Sequence, residues 1–237
     1  MRGIKSFFTF IAVMLISVAV LAFGHGYLKY HDALEKHPLD IKVTKIREQD
    51  NFCTISELPK TFVEAFVSVE DRRFYTHNGF DIIGTARALW IDIKERSLKE
   101  GGSTITQQLA KNMYFPLDNT LERKIAEILT AIKIEKEYSK DEILELYFNC
   151  IYYGSGYYGV YDAAMGYFGK IPLKMTVYES TLLAGVPNAP SVYSPKVNLA
   201  LAHKRQEKVI STMLETEVLT QDEAAAIYAI KNDISLD

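Results

Sequence analysis

At 237 residues the chain has room for one domain of ordinary size plus an appendage. Its 48% apolar content is enough for a real core and excludes wholesale disorder. A formal net charge of -3 leaves no basic excess for phosphates, which excludes a nucleic-acid binder, although a local cluster can still hold a small anion.

Arg2 and Lys5 precede an apolar run from Phe7 to Phe23, and no Asp, Glu, Lys or Arg falls between Lys5 and Lys29. That run is about long enough to cross a hydrocarbon core of roughly 30 Å. Positive charge before it sets residues 1–6 as a cytoplasmic tail and 7–24 as a transmembrane anchor, with the remaining chain outside. A cleaved signal peptide is the competing reading, since Val20-Leu21-Ala22 resembles a cleavage site. The run exceeds the roughly 7–15 residues of a signal core, which favours the uncleaved anchor. Both readings place the folded part outside the cytoplasm.

Residues 25–58 mix Lys, Asp, Glu and His and read as a stalk, with a short strand around Ile41 to Ile46 where alternation is loose. Cys53 and Cys150 then face a disulfide-permissive compartment. Spacing does not place the two sulfurs together, so a bridge and two isolated thiols both stand.

The folded domain, residues 59–232, starts near Pro59, a residue suited to a first helical turn. Ser139 with Glu142, Thr176 with Glu179 and Thr220 with Glu223 fit capping boxes. Leu121, Ile125, Ile128, Leu129 and Ile132 recur at helical spacing and predict one buried stripe. Breaks at Gly101-Gly102, Gly154 to Gly159 and Pro187 to Pro195 separate the helices, and the domain reads as mainly α.

Three clusters carry reactive groups. Glu70-Asp71-Arg72-Arg73-Phe74-Tyr75-Thr76-His77-Asn78-Gly79 follows a helical run, and a carboxylate at such an edge can be tuned as a general base. A solvated charged helix end is the plainer reading. The second runs from Gly101 to Asn112, where a glycine pair leading into a helix would present free amides to a phosphate oxygen. Gln108, Lys111 and Asn112 form a polar, basic edge beside it. The third is Arg123-Lys124-Ile125-Ala126-Glu127, with Arg123 and Glu127 sharing a face away from the apolar stripe. That face is either a surface ion pair or the wall of a cleft, and periodicity leaves both open.

Taken in order, these clusters resemble the peptidoglycan glycosyltransferases, glycosyltransferase family 51, from about Leu58 to Leu214. The matching patterns are Glu70 to Gly79, then Gly102 to Gln108 with Lys111-Asn112, then Arg123 to Glu127 leading to Glu135 and Ser139 to Asn149. Tyr152 to Gly159 with Tyr167-Phe168, and Glu179 to Gly185 with Pro187 to Pro195 and Arg205, complete the five. Departures are small: Phe148 where leucine is usual, Cys150 after Asn149, and a sparser basic stretch at His203-Lys204-Arg205.

The resemblance implies a lysozyme-like, two-lobed α fold, with residues 85–104 in a small lobe against the membrane and Leu89-Trp90-Ile91 at the lipid interface or simply packed. It implies an enzyme that polymerises lipid II into β-1,4 glycan by inverting transfer, releasing undecaprenyl pyrophosphate. Glu70 and Glu127 match the catalytic glutamates. Lys111, Arg123, Lys124, Gln108, Asn112, Ser103 and Arg205 would bind pyrophosphate or sugar, and Asp71, Arg73, His77 and Gly79 would support the Glu70 turn. No cofactor is fixed, with room for a divalent cation (Mg or Mn). The implied partners are lipid II, the growing lipid-linked glycan, the cytoplasmic membrane and cell-wall synthesis proteins. A lysozyme-like hydrolase using Glu70 as acid and a non-catalytic wall-synthesis scaffold are the rivals. No serine has a lysine three positions later, so the monofunctional type is expected.

Overall fold

The computed structural model describes residues 2–95, 102–115 and 120–234. It is helical, as expected, and among these residues the single β feature is an isolated bridge between Tyr152 and Tyr158.

Helix α1, Arg2–Lys36, is long and apolar enough to cross a membrane. It does not stop where the anchor was expected to end but continues unbroken through the first part of the predicted stalk. The expected strand is also absent: Leu39–Arg47 forms a helix, α2. Leu39, Val43 and Ile46 are buried at spacings of four and three, which is one helical face, while Ile41 is exposed. These residues, with Cys53 and Leu58, belong to the core of the domain, so residues 39–58 do not behave as a free stalk. Lys42 Nζ donates to the Met113 carbonyl at 2.8 Å and Arg47 to Glu142 at 2.7 Å, holding α2 in place.

The core forms around α3 (Lys60–Glu70), α5 (Ile105–Tyr114), α7 (Lys140–Cys150), α9 (Val177–Gly185) and α11 (Leu199–Glu215). Helices α3, α9 and α11 pack on one another, and α5 packs on α7 and on α6 (Leu121–Glu137). Phe62 and Phe66 of α3 meet Phe148 of α7 at ring-centroid distances of 5.0 and 5.1 Å, joining the two groups. Helices α4 (Ile82–Glu95), α8 (Val160–Phe168), α10 (Pro190–Tyr193) and α12 (Gln221–Ile234) complete the chain. The three expected capping boxes are formed, each Glu carboxylate accepting the backbone N–H of Ser139, Thr176 or Thr220.

The apolar stripe of α6 departs from expectation. Its buried residues are Ala126, Glu127, Thr130, Ala131 and Ile134, whereas Leu121 is exposed and Ile125, Ile128, Leu129 and Ile132 are only half-buried. The polar, small-residue face turns inward, and α1 packs on α6. Cys53 and Cys150 are free thiols; burial pushes them up to about 11 and about 12, with Glu57 and Asp162 adding to the rise at Cys53.

Candidate active site

Glu70 is the last residue of α3, and Asp71 leaves the helix with φ -156°. The turn that follows is tied down on all sides. Asp71 Oδ2 accepts the Ile105 N–H at 3.0 Å and pairs with His77 Nε2 at 2.9 Å. The Gly79 N–H donates to His77 Nδ1, which leaves Nε2 as the protonated nitrogen that donates to Asp71. Gly79 lies at φ +88°, and a Cβ there would stand 2.8 Å from the Ala131 carbonyl oxygen of α6. Only glycine satisfies both conditions. Its own carbonyl accepts the Thr104 hydroxyl at 2.8 Å.

This scaffold also occupies the amides at the start of α5. Ile105 N–H goes to Asp71, Thr104 N–H to Gln107 Oε1, and Gln107 N–H to Thr104 Oγ1. The expected anion site on free helix amides is therefore not available at these three groups; they are used in capping and in holding the Glu70 turn. Gly101 lies outside the described residues.

The Glu70 carboxylate is largely buried and accepts two bonds. Arg205 Nη2 of α11 reaches Oε1 at 3.0 Å, and Gln108 Nε2 of α5 reaches Oε2 at 3.0 Å. Tyr147 fixes the orientation of that amide by donating to Gln108 Oε1 at 2.7 Å. Burial, then the negative charge of Glu70, pushes Tyr147 well above the usual tyrosine range, so it remains a donor. Gly185 makes room for the Arg205 stem, since a Cβ there would lie 3.0 Å from Arg205 Cγ.

Glu127 has only 1% of its surface exposed, so the third cluster is an inward-facing group rather than a surface ion pair. Arg123 bonds one carboxylate oxygen and Lys124 the other. Lys124 Nζ also donates to Ser103 Oγ at 2.6 Å. Lys111, half-buried, and Asn112, exposed, follow on α5 and bond to neither glutamate.

A cavity of about 330 Å³ opens beside Glu70, lined also by Asp71, Arg73, Ser103 and Arg205. Glu127, Arg123, Lys124, Gln108, Lys111, Asn112, His77 and Gly79 do not line it. Ser103 is the link between the two glutamate centres: it faces the cavity and holds Lys124. Arg73 donates to Asp81 at 3.0 Å. Burial opposes ionisation of Asp81, but the Gly84 N–H and Arg73 together hold its carboxyl below the usual aspartate value.

Sequence reasoning missed Arg87 and Lys208, two further cations on the cavity wall. Lys208 had a signal: Arg205, Lys208, Thr212 and Glu215 fall at helical spacing and all line the cavity. Glu135, named in the matched patterns without a role, accepts from Thr106 at 2.6 Å and Lys140 at 2.7 Å while Lys140 donates to the His77 carbonyl.

As for a divalent cation, both Glu127 oxygens already accept from cationic donors. Among the described residues, the grouping of three potential ligands is His31, Asp32 and Glu35 on α1, none of which lines the cavity. The residues around Glu127 do not fit a protein-held metal.

A family model described as transglycosylase matches residues 39–214. The chain belongs to the transglycosylase family. It is 42% identical over 220 residues to penicillin-binding protein 1A of Neisseria lactamica, covering 88% of this chain and 27% of that protein. It is 40% identical over 210 residues to a Cupriavidus necator protein named "Putative transglycosylase", covering 89% of this chain and 86% of that one. The chain thus spans about a quarter of the length of the penicillin-binding proteins it matches. The crystal structure of penicillin-binding protein 1A from Haemophilus influenzae aligns with a TM-score of 0.45 and 24% identity, over 74% of this chain and 17% of that chain. The family is the one that the five sequence patterns resemble. Its match begins at residue 39, which is also where α2 enters the core of this transglycosylase domain.

Proposed function

We propose that the chain polymerises lipid II into linear β-1,4 glycan strands of peptidoglycan, held by α1 in the cytoplasmic membrane with its globular part on the outer face. The observation that carries this reading is the pair of glutamate centres: Glu70 on the cavity, gripped by Gln108 and Arg205, and the buried Glu127 cluster joined to the same cavity by Lys124 and Ser103.

In this reading Glu70 removes the proton from the 4-hydroxyl of the acceptor sugar as that oxygen attacks C1 of the donor. The bond from C1 to the pyrophosphate oxygen breaks, the configuration inverts, and the electron pair leaves with undecaprenyl pyrophosphate. Lys124, Arg123 and Lys111 neutralise the charge that grows on the leaving group, as preplaced cations do without reorganising. Glu127 acts through Arg123 and Lys124, keeping two cations in fixed positions. Arg205 serves the base by orienting it. Exposed Ile82, Ile83 and Trp90 on α4 support contact with lipid on this side of the molecule, although the side chains of Leu89 and Ile91 lie outside the described residues.

The test is incubation of the purified chain with lipid II in detergent. A ladder of glycan products with release of undecaprenyl pyrophosphate supports the reading. Absence of polymer, with muropeptides released from finished wall glycan, would replace it with a hydrolase.

A further inference from the structure

Helix α1 does more in this fold than a tether needs. It runs without a break from Arg2 to Lys36, and its apolar part is exposed, with Phe10 at 68% and Leu21 at 64%. Three residues beyond Phe23, the helix becomes buried at Gly26. A Cβ on Gly26 would fall 2.6 Å from both Cβ and Cγ2 of Ile125 and 3.1 Å from the Glu122 carbonyl oxygen. The two helices are pressed together at this point until no side chain fits. Gly24, on the same helix, has nothing within 4 Å of the corresponding position.

Ile125 sits between Lys124 and the Glu127 turn of α6. The helices run in the same direction from there, because Tyr30, Leu34 and Glu35 of α1 line one cavity with Lys133 and Glu137 of α6. The contact thus falls near the start of α6, on the turn that carries Arg123 and Lys124. At about 1.5 Å per residue, Gly26 stands about 4.5 Å beyond the end of the apolar run. The interfacial layer outside the hydrocarbon is about 5–7 Å thick on each side. The contact therefore falls at headgroup depth, where the pyrophosphate of a prenyl-anchored donor must also lie.

We infer that Gly26 is a positioning residue: its notch seats α6 against the anchor so that Arg123 and Lys124 are held at the depth of the donor pyrophosphate. The inference rests on the proposed reaction for its consequence, but the depth itself is measurable without turnover. A β-branched Ile125 gives the notch a stiff partner, with one strongly preferred χ1 in a helix. A larger side chain at residue 26 must wedge the two helices apart or slide them along each other, and either movement displaces the cations relative to the bilayer.

The experiment uses the full chain in vesicles of phosphatidylglycerol and phosphatidylethanolamine. A bimane attached through Leu121→Cys reports the depth of the first turn of α6 by quenching with lipids brominated at graded positions. Leu121 is exposed, whereas Cys53 is buried and both native thiols titrate far above neutral pH, so the label is selective at pH 7. Gly26→Leu is expected to shift the quenching profile and to lower turnover of vesicle-embedded lipid II about 100-fold. Turnover of a short-prenyl analogue in detergent, which needs no depth match, stays nearly unchanged. Adding Ile125→Ala to Gly26→Leu restores both readouts, and Gly24→Leu alters neither. An unshifted profile in Gly26→Leu overturns the inference, and so does an equal loss in vesicles and detergent that Ile125→Ala does not rescue. If the wild type itself makes no polymer, the proposed reaction fails while the quenching profiles still decide the seating of α6.

Discussion

Asp71 and Ile105 stand 34 positions apart, yet the carboxylate of one accepts the backbone N–H of the other at 3.0 Å. That bond joins the end of α3 to the start of α5, and His77 reaches the same Asp71 oxygen. The residue that presents Glu70 is thereby set against the helix that supplies Gln108. Position at this site is a property of buried polar groups rather than of the apolar core.

Asp71→Ala removes the acceptor for two buried donors at once. Each unsatisfied group costs about 1–3 kcal/mol, so the variant should lose about 2–6 kcal/mol of stability. Asp71→Asn keeps the shape and one acceptor oxygen and should lose less. Urea unfolding of both variants in detergent checks the order.

Lys124 bridges Ser103 and Glu127, while Arg123 alone suffices to keep Glu127 from being an unpaired buried charge. Lys124→Ala should therefore retain helical content and lose about 10²–10³-fold in turnover, the usual effect of removing one preplaced donor to developing charge. Circular dichroism and lipid II polymerisation measured on one preparation separate the two. Unchanged turnover would make the lysine a structural bridge only.

Glu142 caps α7 and binds Arg47 of α2. The Ser139 N–H, then Arg47, hold its carboxyl below the usual glutamate value. A lowered folded value means that the stabilisation is complete above the unfolded value, about pH 4.3, and is lost as pH falls through the folded one. The melting temperature of Glu142→Gln should lie below that of the wild type at pH 7, with the gap closing as the solution is acidified below about pH 4. A gap independent of pH would remove ionisation from the explanation.

Much of this was legible in the chain because local rules and tertiary packing agree there. Ser139 with Glu142 and Thr176 with Glu179 start α7 and α9 through contacts only three residues apart, and α3 ends at Glu70. Misreadings arose where packing outweighed local pattern. Loose alternation at Ile41 to Ile46 concealed the helical triple Leu39, Val43 and Ile46, and a nine-residue segment offers too few positions to tell the periods apart. On α6 the apolar stripe looked like the core face, but its cover comes in part from α1, and the inward face is the one with Ala126, Glu127 and Thr130. Periodicity identifies faces without saying which one meets water. Glu135 and Lys140 stood in the matched patterns without a role because their partners His77 and Thr106 are remote in sequence.

Polymerisation of lipid II by Glu70→Gln tests the account most directly, because the substitution keeps the side chain's size and one of the two oxygens that accept from Gln108 and Arg205 while removing its capacity to take a proton. The account predicts a folded variant whose turnover falls about 10²–10⁴-fold, the usual contribution of a general base. Glycan chains formed at the wild-type rate would contradict it.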